Sequence, residues 1–211
     1  MPLTELSLAP DRGPLSAGVR ALLRTADRRI GRFLIRGRIP AFVPSDYDGA
    51  FRVFRGLIES PAVRGTQFCE WGSGFGAVTC LAEVAGFDAC GIEAEAELVD
   101  QARRLAEDFG LAAEFAHGSY IPPGAEDRVY AGGVYSWLTT ESDHAYEELG
   151  LDVADLDVVF AYPWPDEEAL TAELFDRYAG PGAVLVTYHT AEGFRARRKT
   201  ARRAKRPRGQ Y

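Results

Sequence analysis

Residues 68–76 read FCEWGSGFG, an apolar run that reaches Glu70 and is followed by glycines at 72, 74 and 76. Glycines spaced this closely let a backbone turn sharply and lie against a ligand, and a helix opening behind them aims its free N–H groups at it. About twenty residues beyond the loop, DACGIE ends on Glu93, where a carboxylate can accept the hydroxyls of a ribose. Together these features suit a nucleotide-type ligand. The glycines alone leave its identity open, because Gly72-x-Gly74-x-x-Ala77 fits a dinucleotide fingerprint as well as it fits GxGxG. Three neighbouring features bear on the choice. Glu70 places a carboxylate where it would repel a pyrophosphate but can face an ammonium. The loop holds no basic residue, and a second apolar segment, LDVVFAY, runs into Pro163-Trp164-Pro165. Tyr162, and Tyr188 and His189 at the end of GAVLVTYH, add groups able to move a proton.

These residues need a frame, and from residue 66 the pattern supplies one. TQFCE reads as a strand, and the loop opens a helix carrying Val78, Leu81, Ala82 and Ala85 that Gly86 closes. DACGIE is the next strand. EAELVDQARRLAEDF then places Leu98, Ala102, Leu105 and Phe109 on one helical face, and AAEFAH is a third strand. A long connection over 118–155 holds a helix around ESDHAYEELGL. LDVVFAY, the helix DEEALTAELFDRYA with its acidic first turn, and the strand GAVLVTYH complete the series. Strands alternating with helices of this length predict a doubly wound α/β sheet, mainly parallel, with ligands at the carboxyl ends of its strands. Upstream, residues 16–36 space Val19, Leu22, Leu23, Ala26, Ile30, Phe33 and Leu34 as one face of a helix, with arginines opposite. A loop with Pro40 and Pro44 follows, and Ser45 is the predicted cap of a helix through Phe51, Val53, Phe54, Leu57 and Ile58.

At these residues the chain resembles the class I S-adenosylmethionine-dependent methyltransferases, over roughly residues 40–190. EWGSGFG resembles their first motif, Glu93 their ribose acid, and DVVFAYPWP the fourth-strand motif that borders the methyl-transfer pocket. A narrower likeness is to small GSG-loop protein lysine methyltransferases, in which a proline-containing turn like FVPSDY helps cover the donor. The resemblance implies a Rossmann-like sheet of order 3-2-1-4-5 and S-adenosyl-L-methionine as cofactor. It implies that Glu70, Gly72, Ser73, Gly74 and Gly76 hold the methionine and ribose side and that Glu93 takes the ribose hydroxyls. Gly118 and Ser119 stand where the family often has an acid for the adenine amine. Tyr162, Pro163 and Trp164 replace the Asn/Asp-Pro-Pro-aromatic turn of amine methylases, and with His189 they are the candidate catalytic residues. A departure follows His189. Only 22 residues remain, dominated by Arg and Lys, so the usual C-terminal β-hairpin is expected to be missing.

The expected organisation is an N-terminal helical cap over 1–60, a donor-binding core over 61–191 and a basic tail over 192–211. Charge follows that division: residues 1–40 sum to +5, 192–211 to +8 and the middle to −20, for a net −7. With 211 residues and 46% hydrophobic composition, one soluble domain is expected. No window is long and apolar enough to span a membrane, and the N-terminus lacks signal-peptide form. Cys69, Cys80 and Cys90 lack zinc-ligand spacing and read as buried thiols in a reducing cytoplasm; no metal is expected, and His117 and His144 lack ligand spacing. Trp71 and Trp137 read as packing residues, and Asp157 as the end of a turn. The methyl acceptor is not identified by sequence, with a protein lysine or a small-molecule amine favoured. Two alternatives remain. One is an NAD(P)-dependent oxidoreductase, which the lack of a Tyr-x-x-x-Lys pair disfavours. The other is a non-catalytic nucleotide-binding module with nucleic acid bound by the basic tail, whose more ordinary reading is a solvated end.

Overall fold

The computed structural model describes residues 3–36, 42–125 and 145–200. In chain order the elements begin with β1 (Thr4–Leu6), α1 (Ala17–Arg36), α2 (Tyr47–Ile58), β2 (Gln67–Trp71), α3 (Ala77–Ala85) and β3 (Asp88–Glu93). They continue with α4 (Ala96–Asp108), β4 (Glu114–His117), α5 (Ala145–Glu148), β5 (Val158–Ala161), α6 (Glu168–Tyr178), β6 (Val184–His189) and β7 (Gly193–Arg198). The central strand is β2, and its sequence shows why. Successive side chains of a strand face opposite sides. Phe68 enters the core shared with α1 to α4, while Cys69 and Trp71 enter the core shared with α5 and α6. A strand apolar on both faces belongs inside a sheet covered on both sides.

Strands β3 to β6 all run parallel to β2, in the spatial order β6-β5-β2-β3-β4. This is the expected Rossmann-like order. Chain direction across the sheet reverses between β3 and β5, on either side of β2, so a crevice opens at the carboxyl end of β2. The N-terminal helices lie on the α3–α4 face. Val19, Leu22, Ala26 and Ile30 of α1 and Ala50, Val53, Phe54 and Leu57 of α2 are buried there, at the helical spacing the sequence shows. The α2 cap is Asp46 rather than Ser45. The Asp46 carboxylate accepts the Gly49 N–H at 3.0 Å, whereas the Ser45 hydroxyl is buried without a partner among the described residues.

The sheet does not stop at five strands. β7 pairs antiparallel with β6 through a tight turn, and β1 pairs antiparallel with β7, giving a sheet of seven strands among the described residues. The expected loss of the C-terminal antiparallel extension is therefore corrected. The arginines of GFRARR masked a period-2 signal: Ala196 is buried, and Phe194 packs on Phe160 and Tyr188. The first part of the expected basic tail is thus a strand that covers the β6 edge, and residues 201–211 lie outside the described residues.

Lys199 follows β7 and ties it to the end of α6. Its buried ammonium donates to the Ala179 carbonyl at 2.6 Å and approaches the Arg177 carbonyl at 3.4 Å, where the helix leaves acceptors open. Lys199→Met keeps the apolar stem and removes the donor. It is expected to lower unfolding free energy by about 1.5–3 kcal/mol, the range for a buried hydrogen bond to a charged group, read as a lower urea midpoint at unchanged slope.

Candidate functional site

The glycine loop is built by hydrogen bonds between neighbouring strand ends. Gly72 and Ser73 donate their N–H groups to the Ile92 carbonyl at 2.9 and 3.0 Å. The Glu93 carboxylate accepts the Gly74 N–H at 2.7 Å and the Glu95 N–H at 3.0 Å, so one side chain fixes the loop and the entry to α4. All three loop glycines have positive φ, at 79°, 52° and 70°. At Gly74 a Cβ would lie 2.7 Å from the Phe42 ring, so only glycine lets the segment ahead of α2 close over the loop. Gly76 does something else. It begins α3 against Ala102 and Phe115, away from the cavity, so its part is to seat the helix rather than to meet a ligand.

Glu70 lies at the buried end of β2. One of its oxygens accepts both the Thr79 N–H at 2.9 Å and the Thr79 hydroxyl at 2.6 Å, from the first turn of α3. Burial raises its pKa from 4.5 to about 8, outweighing those two bonds, and the Glu93 charge pushes in the same direction. Burial also raises Glu93, against the backbone N–H groups it accepts. The Tyr47 hydroxyl is held well above its usual range by burial and then by the charge of Glu70. A raised carboxyl has a definite consequence. Between pH 4.5 and about 8 the folded Glu70 keeps a proton that the unfolded chain releases, so its contribution declines as pH rises through this window. Glu70→Gln is therefore expected to flatten the fall in stability between pH 5 and 8, on the order of 3–5 kcal/mol, in urea titrations of both proteins. Parallel pH curves for the two would refute it.

Around these residues lies a cavity of about 580 Å³, within the range of small-molecule sites. Glu70, Gly72, Ser73, Gly74, Glu93, Gly118 and Ser119 all line it, as do Tyr162, Pro163, Trp164 and His189. Trp71 stacks on Tyr120 with centroids 5.1 Å apart and planes 5° apart, forming one wall. Phe42, Val43, Ser45 and Tyr47 bring the segment before α2 to the opening. Gly118 donates its N–H to the Glu93 carbonyl at 2.9 Å, and the Ser119 hydroxyl accepts the Ile121 N–H at 3.0 Å. The Ser73 hydroxyl is buried and has no hydrogen-bond partner among the described residues. Six glutamates line the cavity (Glu70, Glu93, Glu95, Glu167, Glu168 and Glu192), and its described lining holds no lysine or arginine.

At the far side, the turn after β5 faces the end of β6. The Tyr162 hydroxyl is 2.6 Å from that of Thr190, and its ring packs on Tyr188 at 4.9 Å. Trp164 is 37% exposed at the cavity lining. His189 is buried, with Nδ1 2.8 Å from Glu168 Oε1 and Nε2 2.8 Å from Thr187 Oγ1. Both ring nitrogens are thereby engaged within the protein. Sequence reasoning missed Glu168, whose signal was the acidic first turn of α6 directly after the PWP turn. It also missed Tyr120 and Glu167. Tyr188 lies off the cavity. His117 bonds the Ala94 carbonyl at 2.9 Å, and Asp157 accepts the Gln67 N–H at 3.1 Å to align the start of β2. Trp137 and His144 lie outside the described residues. Among the described residues, no group of three His, Cys, Asp or Glu is placed to hold a metal ion, and no helix is long and apolar enough to cross a membrane.

No family model matches the chain, and no curated protein matches it in sequence. Solved structures do. The chain is similar to an RNA methyltransferase from Salinibacter ruber in complex with S-adenosyl-L-homocysteine, with TM-score 0.51 and 20% identity over 78% of this chain and 98% of that one. It is also similar to an O-methyltransferase from Bacillus cereus, with TM-score 0.47 and 18% identity over 82% of this chain and 66% of that one. YjhP from E. coli matches with TM-score 0.45 and 20% identity over 71% of this chain, which spans only 51% of that protein. At such identities the likeness establishes the fold alone, with the Salinibacter structure carrying it.

Proposed function

With the Rossmann-like fold of class I methyltransferases as the frame, we propose that this chain binds S-adenosyl-L-methionine in the cavity and methylates an amine. The observation that carries the reading is the acidity of the lining: half-buried Glu93 closes on the glycine loop, Glu95, Glu168 and Glu192 share the cavity with it, and no cation stands among the described lining residues. A nicotinamide dinucleotide would set its pyrophosphate beside these carboxylates, whereas a methyl donor brings a sulfonium and an ammonium. The residues fit that donor. Each Glu93 oxygen accepts a backbone N–H and retains lone-pair capacity for a ribose hydroxyl. The unpartnered Ser73 hydroxyl is available to a polar ligand atom, and the Trp71–Tyr120 stack offers a flat apolar wall.

The bound donor supplies a methyl group on an electron-poor sulfur. The protein's work is then alignment and exclusion of water. Glu70 and Glu93 orient the donor end, Phe42 and Tyr47 cover it, and the Tyr162–Trp164 turn borders the acceptor. A protein lysine and a small-molecule amine are the two acceptors this chemistry favours. Three free cysteines, all buried, suit a cytoplasmic setting.

Calorimetric titration with S-adenosylhomocysteine, NAD and NADP tests the reading, with Gly74→Arg as the control. Micromolar binding of S-adenosylhomocysteine alone, lost in the variant, is the expected result. Binding of a nicotinamide nucleotide instead would replace the methyltransferase reading with an oxidoreductase one.

A further inference from the structure

The acceptor end of the cavity holds an arrangement that the donor does not need. α6 begins at Glu168, immediately after the turn that carries Trp164. Its carboxylate is 39% exposed and lines the cavity, yet it is not free to wander. Buried His189 holds Glu168 Oε1 at 2.8 Å through Nδ1, and the His189 ring is fixed in turn by Thr187 at 2.8 Å on Nε2. A long acidic side chain on a helix end would otherwise sample several rotamers. Here a buried strand residue pins it, which lowers the entropy lost when it meets a ligand.

Trp164, four residues before Glu168 in the chain, is an exposed aromatic of the same cavity lining, and Glu167 between them is buried. A held carboxylate and an aromatic side chain lining one cavity are the two surfaces an alkylammonium seeks, one for its charge and N–H donors, the other for its polarised methylenes. An alcohol acceptor can donate one hydrogen bond to the carboxylate but brings no positive charge to it. A nucleic-acid acceptor would bring phosphates toward six glutamates.

We propose that Glu168, positioned by His189, receives the acceptor as its ammonium, which gives up one N–H proton to solvent at the open side of Glu168 before the freed lone pair can take the methyl group, and thereby selects amines over alcohols. This rests on the methyltransferase reading above, with His189 as a positioning residue rather than a proton acceptor. The shared chemistry is a primary alkylammonium, from either a free amine or a lysine side chain.

The test is calorimetric, on the full chain, with and without saturating S-adenosylhomocysteine. The probes are n-butylamine, n-butanol and Nα-acetyl-lysine amide. The wild type is expected to bind butylamine at least about tenfold more tightly than butanol, the scale of a charge-assisted hydrogen bond. Glu168→Gln should erase that preference while S-adenosylhomocysteine affinity stays within about twofold. His189→Gln should reduce it in part, because the carboxylate remains but is no longer held. Glu192→Gln, an exposed acid of the same lining, should leave it unchanged. Tighter binding of Nα-acetyl-lysine amide than of butylamine would support the proposal with a lysine as the amine source, and the reverse would support it with a free amine. Equal binding of amine and alcohol would overturn the proposal, and so would equal losses in Glu168→Gln and Glu192→Gln. Failure of S-adenosylhomocysteine to bind would overturn the donor reading separately, since amine selectivity is also read in the donor-free protein.

Discussion

Glu93→Ala is expected to weaken S-adenosylhomocysteine binding by about a hundredfold or more while the chain remains folded. The carboxylate has two tasks, and alanine ends both. It holds the loop by accepting the Gly74 N–H at 2.7 Å and the Glu95 N–H at 3.0 Å. It also carries the lone pairs proposed for the ribose hydroxyls. Each hydrogen bond to a charged group is worth about 1.5–3 kcal/mol, so losing the ligand contacts and the loop's preorganisation together reaches about 3 kcal/mol or more, a hundredfold in affinity. Stability should change less, because solvent can reach the N–H groups at the cavity rim once the carboxylate is gone. Titration calorimetry alongside a urea curve separates the two effects. An affinity within about threefold of wild type would remove Glu93 from the site.

Phe54→Ala is expected to cost about 3–5 kcal/mol of unfolding free energy, the range for truncating a buried aromatic to a methyl group. Phe54 on α2 is fully buried, and its ring meets Phe68 of β2 at 5.0 Å, Phe160 of β5 at 5.7 Å and Phe87 at 6.4 Å. One side chain thus joins the N-terminal helices to the central strand β2 and its neighbour β5. Ile35→Ala, on a side chain 87% exposed, is the control and should stay within about 0.5 kcal/mol. A small loss at Phe54 would mean that α2 is not packed on the sheet as described. The same substitution bears on the cavity, because α2 begins at Tyr47, which lines it, and follows directly from the segment whose Phe42 closes on the glycine loop.

The core strands and the helices between them were legible because their signals are local. β2, β3, β5 and β6 are apolar on both faces, and their helices carry a 3.6-residue stripe ended by glycine, as at Gly86. The glycine-loop side of the cavity was legible for a related reason. Glu70, the glycines and Glu93 are close in sequence, and neighbouring parallel strands bring them together. Ser45 was misread as a cap because a serine and an aspartate stand side by side, and only geometry shows which one reaches the Gly49 N–H. β7 was hidden because side-chain charge outweighed the alternation of Phe194 and Ala196.

By itself, the sequence determined the element series from β2 to β6, the parallel sheet and the glycine loop between two carboxylates, since each depends on residues within about one strand-helix unit. The tertiary structure decided the rest: that β1 and β7 extend the sheet, that Phe42 closes on Gly74, and that His189 is occupied by Glu168 and Thr187 rather than free. These contacts join residues brought together by crossovers and pairing between distant segments. Residue type and spacing describe each partner, but whether a nitrogen faces a cavity or a neighbouring carboxylate is settled only when the chain has packed.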